Sequence, residues 1–171
     1  MKIAFLSLLL TLTVTITTWA EDATPFVLTN IEKENCTVTE DTTDDLDAEI
    51  DMLDMECSGQ GDYKVKISGG DLRYSLSLVY KNRTIRLTHF MRFHDVPSKF
   101  IEWLVEDGSP LALIHRINVA NDEGRDTSYL IVSKLKGNSS CAVAQVEPKA
   151  GRNQNEYARE LAHKAQTMPC L

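Results

Sequence analysis

Alternation dominates the middle of this chain. Tyr63, Val65 and Ile67 are interleaved with Lys64, Lys66 and Ser68, and beyond Gly69-Gly70-Asp71 the period continues through Leu72, Tyr74, Leu76, Leu78 and Tyr80. A period of two puts successive apolar side chains on one face of an extended chain, so both runs predict half-buried strands, with a turn at the glycines. Lys81-Asn82-Arg83 breaks the pattern, and Ile85, Leu87 and Phe90 resume it. Residues 101–105 predict another strand, and Asp107-Gly108 supplies the left-handed backbone that a tight hairpin needs. Residues 111–119, 129–135 and 141–146 then read as strands, separated by turns at 121–124 and 136–140.

Helical spacing is clear only at the C-terminus. Tyr157, Ala158, Leu161, Ala162, Ala165 and Met168 form one apolar stripe. Asn153 is placed to cap its start, with Glu156 three residues on as a capping-box partner, and Pro169 stops it; the predicted helix spans about 154–168. Near the other end, residues 24–31 and 36–39 suit strands. Residues 40–56 fit two periods: Leu46, Ala48, Ile50 and Met52 alternate, while Leu46, Ile50, Leu53 and Cys57 have helical spacing. The expectation is an acidic loop to about Asp47, then a strand into Cys57. The fold class is mainly β (α+β): a single antiparallel sheet or sandwich-like domain of seven or eight strands, with one C-terminal helix packed on it.

The first twenty residues have the form of a secretory signal: Lys2, an apolar run interrupted only by Ser and Thr, and Thr18-Trp19-Ala20 as a cleavage site before Glu21-Asp22. The run is shorter than the roughly 20 apolar residues that a bilayer span needs. The expected organisation is a signal over 1–20 and one domain over 21–171, exported to the periplasm or secreted.

In that setting the four cysteines, Cys36, Cys57, Cys141 and Cys170, read as two disulfides with three possible connectivities. The strand from Cys141 would span about 23 Å and the helix after it roughly 22 Å, so a short reversing loop returns Cys170 to Cys141. Cys36 is then left for Cys57.

Charge is divided unevenly along the chain. Residues 21–62 hold 14 acids and one base, Lys33; residues 63–171 hold 11 acids and 16 bases. Nine of the acids fall within 40–56. This split either neutralises itself, the acidic segment lying over the basic body, or faces a cationic partner.

Candidate chemistry is sparse. Asp45, Asp47, Glu49, Asp51 and Glu56 have calcium-loop spacing, but Ile50 stands where the loop's sharp turn demands glycine. His89, His94, His115 and His163 share no ligand spacing and read as strand-face or surface residues. Glu102 and Glu106 flank Trp103 and read as the solvated face of a hairpin. Lys64, Lys66, Arg73, Lys81, Arg83, Arg86 and Arg92, interleaved with Tyr63, Tyr74, Tyr80, Phe90 and Phe93, have a nucleic-acid-binding composition. In alternating strands they are an outward face, and an exported protein does not meet nucleic acid. Asn35, Asn82 and Asn138 begin glycosylation sequons that matter only in a eukaryotic source. No catalytic, metal or cofactor site is assigned, and the expectation is a non-enzyme.

Glu56-Cys57-Ser58-Gly59 with Gly61 and Tyr63, Gly70-Asp71-Leu72-Arg73, Ile101-Glu102-Trp103 with Asp107-Gly108, Lys134-Leu135 before Cys141, and a helix ending at Cys170 together resemble a group of uncharacterised, signal-bearing bacterial periplasmic or secreted proteins. The likeness covers most of 57–170. It implies a bacterial source, and no activity or site residues to carry over. The acidic segment between Cys36 and Cys57 departs from that pattern. The functional expectation therefore rests on charge: a protein-binding or inhibitor-like module whose disulfide-closed loop presents Asp44, Asp45, Asp47 and Glu49 to a basic secreted or periplasmic protein. The alternatives are an envelope hydrolase with a site assembled from distant residues, and a structural protein whose acidic loop is merely solvated.

Overall fold

The alternating runs become neighbouring strands of one sheet. The structure, a computed structural model, describes residues 26–87, 92–123, 125–149 and 151–171. Its strands are β1 (Phe26–Asn30), β2 (Cys36–Asp41), β3 (Met52–Ser58), β4 (Tyr63–Gly70), β5 (Arg73–Tyr80), β6 (Arg83–Arg86), β7 (His94–Asp95), β8 (Phe100–Glu106), β9 (Ser109–Ala120), β10 (Asp126–Lys134) and β11 (Cys141–Val146). Helix α1 (Gln154–Lys164) runs on into a 3-10 turn, Ala165–Thr167. The proposed signal, His89 and Phe90 lie outside the described residues.

The sheet is curled into a half-barrel made of two antiparallel meanders. One is β2 to β6. The other is β8 to β11, with β1 added along β8. The two-residue β7 joins them, pairing antiparallel with the end of β9 and parallel with the start of β5 through Arg73 and His94. The expected sheet with one helix is what forms, with eleven strands among the described residues rather than seven or eight. The two-residue β7 carries too few residues to show a period.

The apolar positions of β4 and β5 meet across the pair, Val65 opposite Leu78 and Ile67 opposite Leu76. They pack with Ile101, Trp103 and Leu113 from the other meander into the main core. Trp103 is fully buried, and its Nε1–H donates to Thr29 Oγ1 at 3.0 Å, which satisfies the one polar group that its burial would orphan. β9 is buried on both faces. Leu113, Ile117 and Val119 face the half-barrel, while Ala112 and Ile114 face α1 through Ala158 and Ala162. The small alanines let helix and sheet approach closely.

The capping prediction holds in its main part: Asn153 Oδ1 accepts from the backbone N–H groups of Asn155 and Glu156. The disulfides join Cys36 to Cys57 and Cys141 to Cys170, as the strand–helix return implied. The last residues are fixed by Leu171 N–H donating to the Ala142 carbonyl at 3.0 Å.

Two local expectations fail. The turn predicted at Gly69-Gly70-Asp71 falls one step later: β4 continues through Gly70, and the chain reverses at Asp71 and Leu72, both with positive φ (50° and 60°). The glycines serve close approach instead, since a Cβ on Gly70 would stand 2.5 Å from the Asp51 carbonyl oxygen. In the acidic segment, β2 extends to Asp41 and β3 begins only at Met52, so the alternation of Leu46, Ala48 and Ile50 makes no strand. Leu46 and Ile50 face solvent. Asp41 and Asp45 accept from the backbone N–H groups two residues on, at Thr43 and Asp47, and these local bonds replace a ladder.

Candidate functional site

The β2–β3 hairpin is tied at both ends. Cys36 stands directly opposite Cys57 at its base, with Cα atoms 4.2 Å apart. At the far end Thr42 holds the tip closed: its N–H donates to the Met52 carbonyl, its hydroxyl to the Ile50 carbonyl, and its Oγ1 accepts from Met52 N–H at 2.8 Å. Asp44, Asp45, Asp47 and Glu49 all lie exposed between these anchors.

Neutralisation is confined to the hairpin stem and shoulder. Glu56 pairs with Lys64 at 2.6 Å and Asp54 with Lys66 at 3.5 Å across β3 and β4. Lys33 pairs with Asp41 at 2.6 Å, and this bond, with those from Thr43, holds the Asp41 carboxyl at about 2, well below the usual carboxylate range. Glu32 pairs with Lys99. Among the described residues, none of Asp44, Asp45, Asp47, Glu49 and Asp51 forms an ion pair. Self-neutralisation, one of the two readings of the charge split, is therefore true of the segment's stem and not of its tip. The calcium-loop reading also fails geometrically, because Glu56 sits in β3 bonded to Lys64 and does not return to the loop.

The tip rests on the β4–β5 turn. Asp71 N–H donates to the Asp51 carbonyl at 3.2 Å, and the Tyr74 hydroxyl donates to the same oxygen at 3.4 Å. The Tyr74 ring in turn lines a cavity of about 380 Å³ at the seam between the meanders. Leu72, Tyr74, Phe93 and Ala120 supply its apolar walls, and His94, Asp95, Asn118 and Asp126 its polar groups. Register explains the grouping. Asp95 stands opposite Asn118 and Asp126 opposite Ala120, so these four share one side of β7, β9 and β10. It is the side that α1 covers at Ala112 and Ile114; the helix starts before the seam is reached and leaves it open.

His94 is buried, and its ring is fixed. Nδ1–H donates to the Arg92 carbonyl at 2.6 Å, which can only accept, and Nε2 shares a hydrogen bond with the Ser75 hydroxyl at 3.3 Å. The Asp95 carboxyl is pushed above its ordinary range, first by burial and then by the neighbouring Asp126 charge. Burial, then Asp51 and Asp41, push the Tyr74 phenol up. Leu72 holds a left-handed backbone that costs a side-chain-bearing residue roughly 1–2 kcal/mol. Strain of this kind gathers at sites where the surroundings over-determine the backbone.

The hairpin end thus unites the four acids expected to bind a partner with a recess that alternation does not reveal. Asp95 and Asp126 lie in or beside short, aperiodic segments, and only the seam strand brings them together. The other flagged residues are structural. His115, expected on a strand face or the surface, lies on the inward face of β9, where burial lowers its pKa to about 3 and leaves it a neutral core residue. Glu102, expected on a solvated face, accepts from Arg159 of α1 at 2.7 Å. His163 packs edge-on against Phe26. Searches among known proteins find no family model, no curated protein and no solved structure that matches this chain.

Proposed function

We propose that this protein is an exported binding module that engages a basic partner protein through the tip of its acidic hairpin. One observation carries the reading: the stem acids are paired with lysines, while the five tip carboxylates, from Asp44 to Asp51, are left to solvent on a hairpin fixed at both ends. Prior ordering reduces the entropy lost on docking, and unpaired charge steers encounter with an oppositely charged surface. The signal-like N-terminus and the two disulfides support an oxidising compartment, periplasmic or extracellular, where basic wall-degrading enzymes are partners of suitable charge. The test compares the protein with a variant carrying D44N, D45N, D47N and E49Q in capture from envelope extract and in association kinetics at rising salt. The protein recovers a basic partner, with association slowing as salt rises, and the variant does not. Identical recovery by both removes the tip from any recognition role.

The Ser75–His94 pair supports a second reading, a hydrolase in which Ser75 is the nucleophile, His94 the base and the Arg92 carbonyl the group that orients it. Ser75 does not line the cleft, so the binding reading stands first. Labelling by a fluorophosphonate that is lost in S75A would establish the hydrolase.

A further inference from the structure

We propose that the seam cleft is a subsite for a primary ammonium group on an apolar stem, presented either by a free amine or by a lysine side chain of the partner. The inference rests on the reading of this end as cation-facing, and names the group taken. The cavity volume, about 380 Å³, falls in the range of small-ligand sites. Its walls, Leu72, Tyr74, Phe93 and Ala120, suit an alkyl or aryl stem, and the Tyr74 ring is an aromatic group of the kind that attracts a cation.

Apart from His94, the polar set is one-sided. Asp95 and Asp126 bring two carboxylates to one side of the strands, and the Asn118 side chain adds an amide oxygen. An ammonium has three donors and no acceptor, which matches these three acceptor groups; a carboxylate or phosphate ligand would meet repulsion. Among the described residues no lysine or arginine supplies this cation, and His94 is the basic group that the lining holds. Arg73 lies 4.4 Å over the Phe93 ring and pairs with Asp71 at 2.7 Å, and Arg92 pairs with Asp122 at 2.9 Å. Among the described residues neither Asp95 nor Asp126 forms an ion pair, and no Lys or Arg lines the cleft. Burial first, and then the Asp126 charge, raise the Asp95 carboxyl, and a cation placed between the two carboxylates would relieve the second of these.

The experiment titrates phenethylamine into isotope-labelled, folded, disulfide-bonded protein and follows shifts of the Leu72 and Ala120 methyl signals. The neutral analogue 2-phenylethanol is the control for apolar binding. Phenethylamine should move these methyls and bind at least about tenfold more tightly than the alcohol, and D95N and D126N should each erase most of that preference. Both residues are exposed overall, although the cleft partly covers the Asp95 carboxyl, so the Asn variants retain the core. L72G serves as a second variant, stripping one wall and weakening amine and alcohol alike. Equal binding of amine and alcohol, or an unchanged preference in D95N and D126N, overturns the proposal.

The tip-neutralised variant separates this inference from the reading beneath it. Cleft binding should survive in it within about twofold, since the tip acts at long range and salt screens it. Amine binding without tip-dependent capture leaves the cleft as a site for a free amine and refutes the partner reading. Tip-dependent capture without amine binding does the reverse. Displacement of phenethylamine by the captured partner assigns the ammonium to a lysine of that partner, and co-occupancy assigns it to a free amine.

Discussion

His115 should make this protein acid-labile in a pH range where its carboxylates are still ionised. The side chain is fully buried in β9, and burial lowers its pKa from 6.5 to about 3. The folded state therefore refuses a proton that the unfolded chain accepts near 6.5. A depressed folded pKa gives stability that is present above the unfolded value and lost as pH falls through the interval. Each pH unit fully inside it costs about 1.4 kcal/mol, so from pH 7 to pH 5 His115 alone removes about 2 kcal/mol, and over the whole interval about 5 kcal/mol.

The comparison stops at pH 5 because Asp41 and Glu32, whose folded pKa values are lowered, add their own losses in the carboxylate range below it. Asp95, with a raised pKa, works in the opposite direction. Urea melts of the protein and of H115Q at half-unit pH steps isolate the imidazole. The protein should lose about 2 kcal/mol more than H115Q over this window, whatever the offset between them at pH 7. Equal losses in both would refute a neutral, buried His115 as the source.

Thr29→Val keeps shape but leaves Trp103 Nε1–H without its acceptor, and chemical denaturation should show a loss of about 1–3 kcal/mol. Tyr63→Phe removes the oxygen that accepts from Gly137 N–H at 2.6 Å and should cost a similar amount, about 1–3 kcal/mol, by the same assay. Replacing Cys141 and Cys170 together by Ala opens a bridge between residues 29 apart and should cost about 3–4 kcal/mol in a thermal or urea melt. Leu72→Gly relieves the left-handed backbone at the cleft and, after the entropy that glycine adds to the unfolded chain, should stabilise by about 0.5–1 kcal/mol.

Long periodic segments were legible from sequence alone, and junctions were not. β4 and β5 follow the two-residue period closely, β9 and β11 show as apolar runs bounded by turn residues, and α1 follows its stripe and cap, because each buries a face large enough to leave a pattern. Both disulfides followed from one length comparison between a strand and a helix. The Asp71-Leu72 turn was hidden because Gly69-Gly70 is the stronger turn signal, and only the close passage of Asp51 reveals why those glycines sit within the strand. β7 was hidden because two residues carry no period. The cleft depends on that strand, which is why Asp95 and Asp126, distant in sequence and unremarkable in composition, escaped a reading that found the tip acids at once.

The placement of β1 sets the order in which the chain can be completed. β1 pairs with β8, so Asn30 meets Phe100 and Phe26 meets Leu104, contacts 70 and 78 residues apart. The β2–β6 meander closes through neighbouring hairpins, while β1 must wait until the second half of the chain is available. Closing so long a loop is entropically slow relative to hairpin formation. The Trp103–Thr29 hydrogen bond exists only after that closure. Trp103 fluorescence is thus a built-in clock for the last step of folding, and a chain synthesised without residues beyond 100 has no partner for its first strand.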